Sequence, residues 1–429
     1  MANLESVFSD KDQKIKADTL VVGGGIAGIT TAIETAEVGK HVVLLEKEPS
    51  LGGRVAGMNQ YFPKLCPPTC GIEINLKRIR SNPYIKVLTL ASIEKISGSP
   101  GDYEVTIKLQ PRYVNHKCTC CGECEKVCEI ERDNDFNFGL DKTKAIYLPH
   151  LMAYPPRYVV DPKYAGDEKM KKCVEACEYD AIELDMEPIT LTANFKAIVW
   201  ATGWKPYDAK KIDNLGYGQY ENVVTNLIME RLAAENGPTQ GKIIRPSDKK
   251  EITKIGFVQC AGSRDENHLP YCSAVCCLAS MKQATYIRER YPEAEIHLFY
   301  IDVRSPGRME DFYTKMQEDE KFFFHRGKVG SITENPDTKN PILEAENTLT
   351  GEKSKIEVDM AVLATGMVPS VVDDKPAMEM EFDEFGFILN DLDKGVIGAG
   401  SALRPFDVAA SVQDATGAAL KALNVGMRS

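Results

Sequence analysis

The sequence predicts an α/β fold of two nucleotide-binding units with a cysteine-rich segment inserted into the first. Three observations carry that expectation. A short apolar strand runs into G-x-G-x-x-G at Gly23 to Gly28, two later apolar strands each end in Ala-Thr-Gly, and a C-x2-C-x2-C-x3-C run begins at Cys118. The chain has 429 residues, which at about 150 residues per domain suggests roughly three domains' worth of core, or two domains with an insertion.

The first unit opens with a strand at Asp18 to Val22, followed by Gly23-Gly24-Gly25-Ile26-Ala27-Gly28 and a helical pattern through Thr30 to Val38. Gly23 allows the tight turn, Gly25 lets backbone approach a pyrophosphate, and Gly28 lets helix and strand pack closely, with the helix N-terminus facing the phosphates. His41 to Leu45 is a second strand ending in Glu46, about twenty residues on, where a carboxylate accepts hydrogen bonds from ribose hydroxyls. Gly52-Gly53-Arg54 adds a flexible turn with a cation. That turn resembles the one flavoproteins with two dinucleotide folds carry after the ribose carboxylate, and it favours FAD over NAD.

Ala197 to Gly203 and Met360 to Gly366 read as buried strands. They resemble the strands by which flavin disulfide reductases enter and leave their second domain, which places Ala201, Thr202, Gly203, Ala364, Thr365 and Gly366 in the expected cofactor-binding set. Val396 to Gly400 and the helical run Ala409 to Leu423 resemble the last flavin-binding strand and helix, with Gly400-Ser401 where Gly-Asp is usual. A second phosphate-binding glycine set is missing: the strand Lys254 to Val258 runs into Gln259-Cys260-Ala261-Gly262-Ser263-Arg264. Two readings follow, a degenerate nicotinamide site that binds weakly or a domain converted to another electron carrier.

Thirteen cysteines, with adjacent pairs at Cys120-Cys121 and Cys276-Cys277, make a poor disulfide framework and read as metal ligands or redox thiols. Cys118, Cys121, Cys124 and Cys128 have the spacing that wraps a [4Fe-4S] cube; zinc is the alternative. In two-cluster ferredoxins the fourth cysteine of such a run serves the other cluster, and the partner run here is only Cys173-x3-Cys177. One complete cluster is therefore expected on Cys118, Cys121, Cys124 and Cys177, with Cys128 and Cys173 as remnants and Cys120 as a spacer. Glu129 and Glu178 replace the usual prolines. Cys260, Cys272, Cys276 and Cys277 make a second set, either cluster ligands at a helix start or buried free thiols. Cys66-Pro67-Pro68-Thr69-Cys70 is either a redox disulfide or a share in a further cluster, and its two prolines are expected to forbid a helical turn.

Apolar residues make up 43% and charged residues 27%, with 52 Lys+Arg against 63 Asp+Glu and a net charge of -11. Disordered, collagen-like and disulfide-scaffold classes are excluded. Nucleic acid is not expected as a partner, nor is unaided binding to anionic lipid. No run reaches the roughly 20 apolar residues of a membrane span, and Met1 to Ala17 is too charged for a signal peptide. A cytoplasmic location is expected.

The segments Phe257 to Asp265 and Tyr271 to Cys277, with the Cys118 run, resemble the A-type flavoprotein of heterodisulfide reductase over nearly the whole chain. The methanogen form continues into a C-terminal ferredoxin domain, whereas this chain ends at Ser429. The short form is similar to the A-type flavoprotein of the quinone-interacting membrane-bound oxidoreductase of sulfate reducers. The resemblance implies a two-dinucleotide-binding-domain flavoprotein (thioredoxin/glutathione reductase-like) with an inserted ferredoxin-like segment. It implies FAD and [4Fe-4S] cofactors, one cluster or two, in an oxidoreductase subunit. The implied partners are adenylylsulfate reductase, a second heterodisulfide reductase-like flavoprotein subunit, and a haem-bearing quinone-reactive membrane subunit. Electrons would pass between the menaquinol pool and adenylylsulfate reductase at the inner face of the membrane. The alternatives are an NAD(P)H-dependent thiol or disulfide reductase using Cys66 and Cys70, and a soluble electron-bifurcating subunit. The expected division is FAD-binding parts at 1–110, 188–245 and 358–429, the inserted segment at 111–187, and a second dinucleotide-fold domain at 246–357.

Overall fold

Four-residue apolar runs buried on both faces, such as Val42–Leu45 and Ala197–Trp200, form the centre of a parallel sheet, because such strands need cover on each side. The computed structural model describes residues 15–62 and 65–427. Most of the N-terminal segment read as too charged for a signal peptide lies outside them.

The first sheet has the order Val396–Gly398, Ala197–Trp200, Thr19–Val22, Val42–Leu45, Ile85–Leu88, all parallel. On one face Val21, Val42 and Leu44 pack against helices Ile26–Glu37 and Val408–Met427. Those helices approach closely because Ala415, Ala418 and Ala422 present only methyl groups. Alternate residues Leu20, Val43 and Ile198 face an antiparallel layer built from Ala91–Ser99, Asp102–Leu109 and Ile189–Phe195.

The inserted segment leaves that layer at Leu109 and rejoins it at Ile189, and these two residues are direct register partners. It occupies the place of a hairpin turn, so the sheet is undisturbed. It has its own core of Val114, Ile146, Val160, Met170 and Ile182. Arg112 fastens it to the first unit by donating to the Pro49 carbonyl and, at 2.9 Å, to Thr89 Oγ1.

The second sheet has the order Val223–Thr225, Met360–Thr365, Lys254–Ala261, Glu295–Tyr300, Phe322–Arg326, again all parallel. Helices Asn226–Ala233 and Cys276–Arg290 cover one face, and strands Val329–Glu334 and Pro341–Glu346 help cover the other. This corrects two expected boundaries: strands Val223–Thr225 and Met360–Thr365, assigned above to the flavin domain, pair in the second sheet. An unbroken apolar run reads alike in either parallel sheet, so the pattern alone could not choose. The chain crosses between units twice, and the crossings Trp204–Pro206 and Met367–Pro369 pair antiparallel.

Four local expectations also change. The Lys254 strand continues through Gln259 and Cys260 to Ala261, with an irregularity after Val258. The first helix starts at Ile26, and the last spans Val408–Met427. Pro67 and Pro68 do not prevent a helix; they begin one, Pro68–Ser81, because proline at the first turn loses no hydrogen bond that the helix needs.

Candidate functional site: a nucleotide cradle and two four-thiol concavities

The strand Thr19–Val22 delivers the glycine turn to the N-terminus of the first helix. Gly23 has φ +110°, and a Cβ there would stand 2.3 Å from the Ala201 carbonyl oxygen. A Cβ on Gly28 would stand 1.7 Å from the Gly23 carbonyl oxygen, so the helix meets the strand only because both residues are glycine. Gly25 differs: its Cβ would meet nothing nearer than Gly53 Cα at 3.9 Å. The space in front of Gly25 is open, as approach of a phosphate to the backbone requires.

Glu46 is buried, and its two carboxylate oxygens accept the Gly24 N–H at 2.6 Å and the Glu48 N–H at 2.9 Å. Burial pushes its carboxyl up, and the two backbone bonds oppose that shift. Gly52 donates to the Gly24 carbonyl at 2.9 Å, which lays the Gly52-Gly53 turn over the cradle. Arg54 points elsewhere: its Nε donates to the Trp204 carbonyl at 3.2 Å and its guanidinium lies 5.6 Å from the centre of the Trp204 ring. Thr202 Oγ1 is buried without a hydrogen-bond partner, and beside it Gly203 has open space where a Cβ would be. Ser401 is buried against the Phe406 carbonyl, while Gly400 donates to Asp414 Oδ2 at 2.7 Å.

The inserted segment reaches this cradle, which the sequence did not signal. His150 Nε2 lies 3.2 Å from Ser50 Oγ and 3.1 Å from the Leu51 carbonyl, and the Tyr154 N–H donates to Ser50 Oγ at 2.9 Å.

Cys118, Cys121, Cys124 and Cys177 line one concavity of the inserted segment with Val114, Tyr158 and Ile182. Its supports are the short helix Glu123–Val127 and the end of the helix Lys171–Glu175. Burial and then the three neighbouring thiols push Cys124 up to about 12. Cys128 and Cys173 lie outside this concavity, buried in the segment's core, with Cys128 Sγ donating to the Ile130 carbonyl at 3.6 Å.

Cys260, Cys272, Cys276 and Cys277 line a second concavity with Ser263, Arg264, Ser273, Asp302 and Arg304. Cys260 takes φ +56° at the strand's irregular end, and Cys276 and Cys277 open the helix Cys276–Arg290. Burial, then the thiol of Cys277, push Cys260 up to about 11, with Arg264 opposing.

The second Ala-Thr-Gly, Ala364-Thr365-Gly366, lies beside residues of this concavity. The Thr365 carbonyl accepts from Cys276 Sγ at 3.8 Å, and a Cβ on Gly366 would stand 2.2 Å from Ser263 Oγ. Thr365 Oγ1 donates to Asn226 Oδ1 at 3.1 Å, and Ala364 is buried in the second sheet. Met360–Thr365 feeds the second unit's site as Ala197–Trp200 feeds the first.

Among the described residues no three His, Cys, Asp or Glu side chains converge tightly enough to hold a single metal ion. Cys70 is exposed in the first turn of Pro68–Ser81, Cys66 precedes it, and no disulfide joins them. A buried ion pair also escaped the sequence: Lys282 Nζ lies 2.9 Å from Glu230 Oε1 and 2.6 Å from the Gln60 carbonyl. Glu230 Oε2 accepts the Asn59 N–H at 2.9 Å, so the pair ties the second unit's helices to a loop of the first. Among the described residues no helix is long and apolar enough to cross a membrane.

Residues 21–72 match the model of an NAD(P)-binding Rossmann-like domain. One of the two A-type iron-sulfur subunits of the CoB–CoM heterodisulfide reductase of Methanopyrus kandleri is 39% identical over 98% of this chain and 67% of its own length. The chain belongs to the family of heterodisulfide reductase A-type subunits. This family is one of oxidoreductase subunits. Another relative, the A-type subunit of the H(2):CoB-CoM heterodisulfide,ferredoxin reductase of Methanothermobacter thermautotrophicus, is 36% identical over 95% of this chain and 64% of its own length. The chain thus spans about two thirds of the length of these A-type relatives. Among solved structures, the thioredoxin reductase of T. acidophilum superposes with a TM-score of 0.53 at 14% identity, covering 96% of this chain and 100% of its own. The fold is that of a two-dinucleotide-binding flavoprotein.

Proposed function

We propose that this chain is an electron-transfer subunit with FAD in the first unit's cradle and a [4Fe-4S] cluster in each four-thiol concavity. The carrying observation is that eight of the thirteen cysteines gather four and four at two separate places on a dinucleotide-binding scaffold. When bound, the flavin exchanges two-electron for one-electron chemistry and the clusters carry single electrons.

The chain's own residues supply position and environment. Gly25 and the first-helix N–H groups would hold the phosphates and Glu46 a ribose, and the Thr202 hydroxyl has hydrogen-bonding capacity left for the cofactor. Cys118, Cys121, Cys124 and Cys177 hold one cluster, and Cys260, Cys272, Cys276 and Cys277 the other. The domain division follows the sheets: a flavin unit, the insertion between Leu109 and Ile189, and a second unit that includes Val223–Ala233 and Met360–Thr365.

For the physiological couple, our reading is transfer between the menaquinol pool and adenylylsulfate reductase. The expected partners are a second flavoprotein of this family and a haem-bearing membrane subunit, with this chain on the cytoplasmic side. A soluble heterodisulfide reductase-type role, including electron bifurcation, is the second reading, favoured by what its relatives are named for. An NAD(P)H-dependent reductase is disfavoured by the Gln259 to Gly262 turn. Anaerobic purification with flavin, iron and sulfide counts tests the cofactors. Reduction of the assembled complex by a menaquinol analogue supports the first couple, and reduction of a heterodisulfide with no response to quinol overturns it.

A further inference from the structure

Three of the four thiols in the second concavity, Cys260, Cys276 and Cys277, are buried. Four thiolates gathered there carry a negative charge that burial makes costly, and each added electron deepens it. The cations lining the concavity are Arg264 and Arg304. Their side chains are 24% and 50% exposed, so the less screened charge is that of Arg264.

Arg264 is held from two directions. Its backbone, at φ +54°, donates to the Tyr271 carbonyl at 3.1 Å, beside Cys272 in the chain. Its guanidinium pairs with Asp302, which also lies 3.6 Å from Arg304 Nε. Among the described residues no charged side chain lines the first concavity, and the nearby Arg112 spends its guanidinium on oxygens of Pro49, Thr89, Arg157 and Tyr158.

We infer that Arg264, anchored by Asp302, is a positioning residue that raises the reduction potential of the carrier on Cys260, Cys272, Cys276 and Cys277. The inference rests on the proposed second cluster. Net charge near a cluster sets its potential, so the Arg264–Asp302 pair is a tuning element with two opposed charges. Removing the cation disfavours the reduced form, and removing the anion favours it.

The test is an anaerobic EPR-monitored redox titration of the full-length protein, following the signal that Cys276→Ala abolishes and using the signal that Cys124→Ala abolishes as internal reference. Arg264→Gln is expected to shift the reduction equilibrium of the second signal about tenfold towards the oxidised form, about 59 mV for one electron. Arg264→Lys restores most of the shift, Asp302→Asn moves the midpoint upward, and the reference stays put. A midpoint unchanged in Arg264→Gln, or a downward shift in Asp302→Asn, overturns the inference. Should Arg264→Gln lose the cluster, the sign of the Asp302→Asn shift decides alone. Failure of the underlying reading is separately visible, as wild-type protein that never carries iron on the second set.

Discussion

Gly25 and Gly28 lie one helical turn apart, and alanine at each should have opposite consequences. At Gly28 the new Cβ would sit 1.7 Å from the Gly23 carbonyl oxygen, an atom of backbone that is itself pinned at φ +110°. Relief requires the helix to move off the strand; overpacking of this kind costs on the order of 3 kcal/mol or more. At Gly25, the N-cap of the first helix with φ -76°, the Cβ finds no neighbour closer than 3.9 Å. There alanine gives up a favourable cap residue but restricts the unfolded chain, so the two effects leave apo stability within about 1 kcal/mol of wild type. What it fills is the approach of the pyrophosphate. Gly25→Ala is therefore expected to purify folded but flavin-depleted, whereas Gly28→Ala is expected to lose stability in the flavin-free form as well. Released flavin measured by absorbance, with urea unfolding of flavin-stripped samples, separates the two. Stoichiometric FAD in Gly25→Ala, or wild-type apo stability in Gly28→Ala, would refute the cradle assignment.

Three further outcomes are expected. Anaerobic protein should hold about eight irons, and Cys124→Ala and Cys276→Ala should each remove about half while the other cluster's absorbance persists; an iron content near four in the wild type would remove the second site. NADH and NADPH should not bleach the flavin in stopped-flow mixing, because Gln259 to Gly262 replaces the phosphate-binding glycines; rapid bleaching by either would show a working nicotinamide site. Burial lowers His325 from 6.5 to about 4, and it meets His297, also lowered, at 2.9 Å. The unfolded chain then takes up protons first as pH falls, so this pair's contribution is lost between about pH 6.5 and 4. His325→Phe should lessen the fall in urea stability from about pH 7 to 5, and an unchanged difference would count against that account.

The glycine turn was legible in sequence because a strand that hands over this closely to a helix leaves no room for a Cβ at Gly23 or Gly28, while the space at Gly25 stays open. The thiol groupings followed the cysteine spacing, even across a gap as long as Cys124 to Cys177. Sheet membership was less so. Met360–Thr365 and Ala197–Trp200 carry the same pattern because both are central parallel strands, and only pairing tells which sheet each joins. Residues acting singly across the fold, such as His150 on the cradle turn or Lys282 with Glu230, leave no periodicity and look like surface polar residues until their partners are known. The Pro67-Pro68 error came from treating proline as a helix breaker at a position where it is a helix starter.

The hairpin-like rooting of the inserted segment has a kinetic consequence. Electron tunnelling falls off steeply with separation, so a carrier on a swinging arm would conduct at a rate averaged over its excursions. Here the arm grows from adjacent register partners, Leu109 and Ile189, and is bolted back through Arg112 to Pro49 and through His150 and Tyr154 to the Ser50–Leu51 turn. On the proposed function, a carrier seated among Cys118, Cys121, Cys124 and Cys177 would have its hopping distance to the cradle set by these contacts.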